Sequence, residues 1–315
     1  MSDSSFSLRN KKIWVAGHKG MIGSVITRRL SDYELIYANS EDLDLRKRRE
    51  VREWVAKNKP DILIMCAAVV GGIQANSSFP VEFLLDNLKI QNNLIEAAAD
   101  FDVQKILFFG SACTYPKNSP QPINEDALWN GPPEETNIWY ATAKLSGIQL
   151  IKAYVQQNGL EALIVMPTNA YGPYDNFDNS RNHVIPALIN RFHSAKVQGS
   201  ETVTIWGSGR PKREFIFVDD LSDAAIFLLE SSVAHDIVNI GSGHETTISE
   251  LASLIAKVVS FKGNIIFDSA KPDGVMRKAL NSSKLNGMGW SAKVSLEDGL
   301  TRTYDWAKHH EVLDH

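Results

Sequence analysis

Tyr140 and Lys144 stand four positions apart in the segment Tyr-Ala-Thr-Ala-Lys, where a helical pattern begins. Residues four apart share one face of a helix, so the phenol and the ammonium can be presented together. A neighbouring cation favours the phenolate and lowers the pKa of a tyrosine, which makes the phenol a proton donor and acceptor near neutral pH. Ser111 follows an apolar run and can hydrogen bond a substrate oxygen. These three residues predict proton transfer at a substrate oxygen.

A second pattern lies near the N-terminus, where Gly17, Gly20 and Gly23 are spaced three apart between an apolar run and a helical pattern. Glycines there allow a tight turn, let backbone N–H groups approach a pyrophosphate, and bring the helix close to the strand. The N-terminus of the helix favours the anion. The cofactor-binding residues that this turn predicts are Gly17, Lys19, Gly20, Met21, Ile22 and Gly23.

The end of the second predicted strand bears on the choice between NAD and NADPH. Residues 37–40 read Tyr-Ala-Asn-Ser and provide no acid that could accept hydrogen bonds from an adenosine ribose. Lys19 could instead meet a 2′-phosphate, which favours NADPH. The alternative is that Lys19 is an ordinary solvated lysine.

The elements that must position these groups alternate between apolar strands and helical patterns. Strands are predicted at 13–16, 34–38, 61–66, 105–109, 162–165, 203–206, 213–218 and 264–267. Helices are predicted at 21–30, 46–57, 80–99, 140–156, 185–195, 220–230, 248–259 and 296–308. Continuous apolar strands in alternation with helices predict an α/β fold with a doubly wound parallel sheet of the Rossmann type.

The chain is long enough for two units. We expect a dinucleotide-binding domain at residues 1–173 and a smaller α/β substrate lobe at 174–315, with 213–235 returning to the first domain. The stretch 115–133 is rich in Pro, Asn and Gly and is predicted to be a long loop, a class of segment that is often functional.

Composition excludes several classes of function. Hydrophobic residues make up 43% of the 315 residues and charged residues 22%, which is typical of a globular protein. A net charge of −4 lacks the basic excess of nucleic-acid binders, so we expect no nucleic-acid partner. Two cysteines suffice neither for a disulfide framework nor for a four-thiolate metal site, and we expect no metal. No signal-like or membrane-spanning apolar run occurs, so a cytoplasmic protein without a membrane partner is expected.

Eight segments along nearly the whole chain carry a resemblance to a known family. They are GHKGMIG (17–23), AAVVGGIQAN (67–76), GSACTYPK (110–117), YATAK (140–144), MPTNAYGPYDNF (166–177), HVIPALINRF (183–192), WGSGRPKREFIFVDD (206–220) and KPDGVMRK (271–278). The chain resembles the extended short-chain dehydrogenase/reductases and, within them, the GDP-L-fucose synthases. The glycine turn and YxxxK are shared by the superfamily, whereas the other segments are typical of the narrower branch.

This resemblance implies an NADPH-dependent enzyme that inverts C3 and C5 of GDP-4-keto-6-deoxy-D-mannose and then reduces C4 to give GDP-L-fucose. It assigns Cys113 as the base and His183 as the acid of the epimerisation, and it also places His183 at the cofactor. Tyr140, assisted by Lys144, protonates the C4 oxygen, and Ser111 orients that oxygen. The residue types suit these roles because a thiolate can act as a base and histidine changes charge near neutral pH.

The resemblance also implies contacts to the nucleotide and a homodimer. Arginines hold phosphates in a bidentate fork, and an indole can pack against a nucleotide. The substrate-binding residues implied are Asn169, Arg191, Trp206, Arg213 and Lys278. The homodimer would form through the two predicted helices at 80–99 and 140–156.

Three other classes of function are alternatives to this one: a related GDP-4-keto-sugar enzyme, a dehydratase and a non-catalytic binding protein. A relative could act on a different GDP-4-keto sugar, such as one leading to GDP-colitose, or reduce C4 without epimerisation; the presence of both Cys113 and His183 argues against plain reduction. A nucleotide-sugar dehydratase would carry an acid pair where Ala112 and Cys113 stand. A nicotinamide-binding protein without catalysis would not need Tyr140 and Lys144.

Overall fold

The computed structural model describes residues 6–178, 181–231, 236–271 and 273–313. Its strands are β1 (Lys12–Ala16), β2 (Glu34–Ile36), β3 (Ile62–Met65), β4 (Lys105–Phe109), β5 (Ala162–Pro167), β6 (Asn169–Tyr171), β7 (Thr202–Trp206), β8 (Lys212–Phe217), β9 (Ile237–Ile240), β10 (Glu245–Thr247), β11 (Asn264–Asp268) and β12 (Arg277–Lys278). Its helices are α1 (Met21–Arg29), α2 (Arg48–Asn58), α3 (Ile73–Ser78), α4 (Asn87–Asp100), α5 (Ile138–Asn158), α6 (Val184–Val197), α7 (Val218–Glu230), α8 (Ile248–Val259), α9 (Ser283–Gly287) and α10 (Leu296–His309).

The main sheet has the strand order β2-β1-β3-β4-β5-β9, and every neighbouring pair is parallel. The chain runs from β1 to β2 on one side and then crosses to β3 on the other, so the direction of winding reverses beside β1. Ligands of such sheets bind outside the carboxyl ends of the strands at this reversal. The predicted doubly wound α/β fold is confirmed.

Helices cover both faces of this sheet, because each buried strand sends alternate side chains to opposite faces. In β1, Ile13 and Val15 pack into the core beneath α1 and α7, whereas Trp14 and Ala16 pack into the core beneath α2, α4 and α5. Helix α7 also packs directly on α1.

The second lobe is built around β8. This strand pairs with β6, β10 and β12, while β7 pairs with β11, and helices α6, α8 and α10 pack on the lobe's own apolar core. Strand β9, which the sequence analysis did not predict, returns to the main sheet beside β5. The division at residue 173 stays a prediction, and residues 232–235 of the segment 213–235 lie outside the described residues.

The helix predicted at 80–99 is composite. A π-helical turn at Glu82–Asp86 leads into α4. Asn87 stands at the junction, where its Nδ2 donates to the carbonyls of Val69 (2.9 Å) and Phe83 (2.7 Å) and its Oδ1 accepts from the N–H of Val69 (2.8 Å). The junction therefore fixes the loop that follows β3.

Within the described ranges, no helix is both long enough and apolar enough to traverse a bilayer. The same residues contain no group of three or more His, Cys, Asp or Glu side chains that could hold a metal ion.

Candidate active site

The three glycines after β1 serve three different steric purposes. Gly17 has φ +88°, and a Cβ there would lie 2.6 Å from the backbone nitrogen of Ala67, beyond the end of β3. A Cβ on Gly23 would lie 2.1 Å from the carbonyl oxygen of Gly17. A Cβ on Gly20 would meet its nearest atom, the same oxygen, at 3.5 Å. Gly17 and Gly23 thus bring strand, turn and helix together, and Gly20 leaves the outer side of the turn open.

The start of α1 fits a dinucleotide pyrophosphate. Gly20 is the N-cap of α1, and no side chain hydrogen bonds the first N–H groups of the helix from this position. The first turn also contains no acidic residue that would repel an anion. The first N–H groups of a helix have no partners within the helix, and they attract anions. Lys19 is exposed beside them. His18 stacks on Tyr37 with ring centroids 4.5 Å apart, and burial, assisted by the charge of Lys19, lowers the pKa of His18.

Ser111 and Cys113 lie at the carboxyl end of β4. A Cβ on Gly110 would come within 2.4 Å of the Met166 sulfur, so a larger residue at this point, where the chain leaves the sheet, would displace the Met166 side chain. It then forms a 3₁₀ turn at Ala112–Thr114, where the Ser111 hydroxyl oxygen accepts the N–H of Cys113 at 3.1 Å. With its oxygen used as an acceptor, the hydroxyl can still donate its hydrogen to a substrate oxygen.

Lys144 connects α5 to the end of β4. Its Nζ donates to the carbonyl of Phe109 at 2.8 Å and lies 4.7 Å from the Phe108 ring and 5.9 Å from the Tyr140 ring. The side chain is buried, and burial lowers its pKa to about 8. Burial also raises the pKa of the neighbouring Cys66 to about 12, which keeps that thiol protonated. Tyr140 and Lys144 therefore share a helix face, as their spacing predicts.

The direction of the Tyr140 pKa differs from the expectation. Burial raises the pKa of this phenol, and negative charge on Cys113 raises it further. The expected net lowering of this pKa is not found, because burial has the larger effect in this structure and the Lys144 ammonium donates to the Phe109 carbonyl. A phenol with a raised pKa stays protonated at neutral pH, which is the state that a proton donor needs.

His183 is the N-cap of α6, in the second lobe, whereas Cys113 and Tyr140 belong to the main sheet side. The loop before it packs on the segment that follows β3. The N–H of Gly72 donates to the carbonyl of Arg181 at 3.1 Å, and a Cβ on Gly72 would lie 2.4 Å from the carbonyl oxygen of Asn182. His183 Nδ1 lies 3.7 Å from Asp175 Oδ1.

Arg213 and Lys278 are brought together as register partners on β8 and β12. Arg213 Nη1 donates to the carbonyls of Lys212 (2.8 Å) and Val275 (2.6 Å). Burial lowers the pKa of Arg213, and the negative charges of Glu134 and Cys113 oppose this shift. Arg213 and Cys113 are therefore within range of an electrostatic interaction.

Three other predicted residues flank this group. Asn169, on β6, donates from Nδ2 to the carbonyl of Glu214 at 2.8 Å. Arg191 donates from Nη1 to the carbonyl of Thr204 at 2.8 Å, and Trp206, two residues further along β7, is 66% exposed. The described contacts join Arg191 and Trp206 to β7 rather than to the cluster around Cys113.

Two acids beside the predicted residues escaped the sequence analysis. Glu134 lies 3.5 Å from Lys117 through Oε1, and its Oε2 is buried without a hydrogen-bond partner among the described residues. Asp175 faces His183. Neither acid is separated from its partner by a spacing that is typical of a helix or a strand. The only sequence signal was the family resemblance of the segment 166–177, which contains Asp175.

This chain is similar in sequence and in structure to several known proteins. The profile of the NAD dependent epimerase/dehydratase family matches residues 13–241. GDP-L-fucose synthase 1 of Arabidopsis thaliana is 50% identical over 306 residues, covering 96% of this chain and 95% of that protein. GDP-L-colitose synthase of Yersinia pseudotuberculosis is 37% identical, covering 93% and 96%. The crystal structure of a GDP-L-fucose synthetase from Naegleria fowleri bound to NADP superimposes with a TM-score of 0.89 at 27% identity, covering 99% of both chains.

Proposed function

This chain belongs to the NAD dependent epimerase/dehydratase family, and from that premise we propose that it converts GDP-4-keto-6-deoxy-D-mannose to GDP-L-fucose. The reaction is an epimerisation at C3 and C5 followed by NADPH-dependent reduction of the C4 ketone. The observation that carries this proposal is that the 3₁₀ turn with Cys113 packs on α5, the helix of Tyr140, and that Cys113 interacts electrostatically with both Tyr140 and Arg213. A thiol next to the proton donor of a reductase is of no use to hydride transfer, but it can serve proton abstraction next to the ketone.

NADPH is the cofactor, and it supplies the hydride that reaches C4 when it is bound. The open N-terminus of α1 supports binding of the pyrophosphate by Gly20, Met21, Ile22 and Gly23. Lys19, an exposed residue of the same turn, would meet the 2′-phosphate. The Naegleria fowleri structure, bound to NADP, supports this choice of cofactor.

In the reduction, Tyr140 donates its proton to the C4 oxygen as that oxygen gains negative charge. Ser111 donates a second hydrogen bond to the same oxygen. The Lys144 ammonium, which lies against the Tyr140 ring, stabilises the phenolate that remains. The raised pKa of Tyr140 supports this direction of transfer, since the phenol begins the reaction protonated.

In the epimerisation, the same C4 ketone acidifies the protons on C3 and C5. Cys113 removes a proton from one face of the sugar, and His183 returns a proton on the other. Tyr140 and Ser111 hydrogen bond the C4 oxygen while it carries the charge of the enolate.

The nucleotide would be held by the second lobe. Arginine forks suit the pyrophosphate, and the exposed indole suits a nucleotide base. We assign this binding to Asn169, Arg191, Trp206, Arg213 and Lys278. The substrate lobe would then be residues 174–315, with 213–235 returning to a dinucleotide-binding domain at 1–173.

The test is a reaction of the purified protein with GDP-4-keto-6-deoxy-D-mannose and NADPH, followed by absorbance at the NADPH band and by product NMR. The expected result is loss of NADPH with formation of a GDP-sugar of L-fuco configuration. NADPH loss with C3 and C5 unchanged would identify a plain 4-reductase. No loss of NADPH with this substrate would contradict the proposal, and a different GDP-4-keto sugar, such as a precursor of GDP-L-colitose, would then be tested.

We also propose that the protein acts in the cytoplasm as a homodimer. Val81, Leu85 and Trp139 are 63%, 43% and 42% exposed, and the π-helical turn that contains Leu85 packs on α5. A second copy seated on α4 and α5 would cover these side chains. Cys66 and Cys113 are both thiols in the described structure, which suits a reducing compartment.

A further inference from the structure

Asp175 lies in the loop between β6 and α6, and its carboxylate is almost fully enclosed. The side chain is 4% exposed. Its Oδ1 accepts the N–H of Asn176 at 2.8 Å and lies 3.7 Å from His183 Nδ1. Its Oδ2 is buried, and among the described residues it has no hydrogen-bond partner. The same holds for His183 Nδ1.

The buried ring nitrogen and the buried carboxylate, which approach each other through Nδ1 and Oδ1, are complementary partners. A buried carboxylate oxygen without a hydrogen bond is costly, and so is a buried ring nitrogen. An N–H on His183 Nδ1 would satisfy the ring nitrogen and give this carboxylate a second donor, and a shift of about 1 Å brings Nδ1 and Oδ1 from 3.7 Å to ordinary hydrogen-bond length. Catalytic hydrogen bonds are often longer before substrate binds and shorten in the complex.

We propose that Asp175 is the positioning residue of His183, an inference that rests on the proposed function. The carboxylate accepts a hydrogen bond from Nδ1–H and thereby selects the tautomer that carries its proton on Nδ1. The exposed part of the ring then carries Nε2, because Nδ1 is the buried nitrogen and 42% of the His183 side chain is exposed. In the acid step the Nε2 proton passes to the sugar carbon, the electron pair of the enolate forms the new C–H bond, and His183 is left neutral with Nδ1–H still on Asp175.

The backbone on each side of this pair is held in place. Next to Asp175, the rings of Tyr174 and Phe177 pack on Trp306 of α10, with centroids 5.0 Å and 6.3 Å away. Next to His183, the preceding loop is bonded to Gly72. Both residues therefore approach each other from anchored backbone, which is what orientation of a catalytic ring requires.

A double-mutant cycle tests this role, with Asp175→Asn, His183→Asn and the double variant. Each is assayed for deuterium uptake from heavy water at C3 and C5 and, separately, for NADPH binding and oxidation. General acid catalysis contributes about 10²- to 10⁴-fold to a reaction rate. An asparagine at position 175 can direct its N–H toward Nδ1 and so favour the tautomer without a proton there. We expect Asp175→Asn to lower deuterium uptake by roughly 100-fold at unchanged NADPH affinity. In the His183→Asn background, the same change should have no further effect.

The outcomes separate this inference from the proposed function. Absence of NADPH oxidation by the wild-type protein would reject the proposed function. Wild-type uptake in Asp175→Asn would overturn the positioning role. An additive loss of deuterium uptake in the double variant would also overturn the positioning role. So would a loss of NADPH binding as large as the loss of deuterium uptake, since either result indicates a purely structural residue. Asp298→Asn, which changes an exposed carboxylate on α10, is the control for loss of one charge.

A measurement without substrate gives an independent readout. The ¹⁵N chemical shifts of the His183 ring, assigned by their loss in His183→Asn, report which nitrogen carries the proton. The wild-type protein should show Nδ1 protonated, and Asp175→Asn should show Nε2–H in the neutral ring. An identical tautomer in both proteins would overturn the inference, whatever the enzyme's substrate.

Discussion

Alanine at Gly23 and alanine at Gly20 should fail in different ways, although both change the same turn. A Cβ on Gly23 would lie 2.1 Å from the Gly17 carbonyl oxygen, a backbone atom that cannot rotate away. The start of α1 must therefore move by roughly 1 Å to reach ordinary contact, because real Cβ atoms essentially never approach within 3.0 Å. Overpacking of this kind costs about 1–3 kcal/mol.

Gly20→Ala introduces no such clash. Its Cβ would lie 3.5 Å from the nearest atom, and the residue has φ −75°, which alanine adopts readily. The methyl group would instead stand on the side of the turn where the pyrophosphate is expected. We therefore expect Gly20→Ala to leave the unliganded protein as stable as the wild type while it weakens NADPH binding by about tenfold or more, since 1.4 kcal/mol is a factor of ten.

The assay is thermal unfolding of both variants with and without NADPH, together with NADPH titration by fluorescence. Gly23→Ala should lower the Tm of the unliganded protein by roughly 2–5 °C, at about 1.5 °C per kcal/mol for a chain of this length, and should also weaken NADPH binding. Gly20→Ala should keep the unliganded Tm and lose most of the stabilisation that NADPH adds. Wild-type NADPH affinity in Gly20→Ala, or an unchanged Tm in Gly23→Ala, would refute the reasoning.

Tyr140→Phe removes the proton donor and should slow NADPH oxidation by about 10²- to 10⁴-fold; oxidation at the wild-type rate would exclude Tyr140 from this role. Cys113→Ala should suppress deuterium exchange while some direct reduction continues, and unchanged exchange would show that Cys113 is not the base. Burial lowers the pKa of Lys144 to about 8, so its ammonium is lost as the pH rises through that value. Hydride transfer at saturating NADPH should then fall about fivefold between pH 8 and pH 9, as the charged fraction drops from about one half to about one eleventh, and a rate that stays flat in stopped-flow absorbance would contradict the role of the ammonium. Leu85→Glu places a charge in the proposed dimer surface and should give a monomer in light scattering; a variant that remains dimeric would rule out this surface.

The parts of the fold that the sequence predicts well are those with local signals. The strand at 105–109 and the helix at 248–259 have the same ends in the structure as in the prediction. For the helix, the reason is visible in Thr247 and Glu250, which form a capping box at its start. Where side chains near in sequence decide the boundary, the pattern is sufficient.

Strand β9 was missed because its stability comes from distant partners. Asn239 interrupts its short apolar run, and a buried asparagine is not typical of a central strand. In the fold, its Oδ1 accepts the Tyr115 hydroxyl at 2.6 Å and its Nδ2 donates to the Ile123 carbonyl at 2.9 Å. Both partners come from the long loop at 115–133, more than a hundred positions earlier in the chain.

In the candidate site, too, the residues with local sequence signals could be predicted and those with distant partners could not. Tyr140 and Lys144 could be paired from their helical spacing alone, and Ser111 from its place after an apolar strand. Asp175 and Glu134 could not, because they meet His183 and Arg213 only through loop conformation. The direction of the Tyr140 pKa was also beyond the sequence, since it depends on burial and on where Lys144 directs its ammonium.

The central claim is that one ketone serves both epimerisation and reduction at this site. The most direct measurement is the position of deuterium in the product formed from GDP-4-keto-6-deoxy-D-mannose and NADPH in heavy water. The account predicts deuterium at both C3 and C5, together with consumption of NADPH. Consumption of NADPH with no deuterium at either carbon would contradict it.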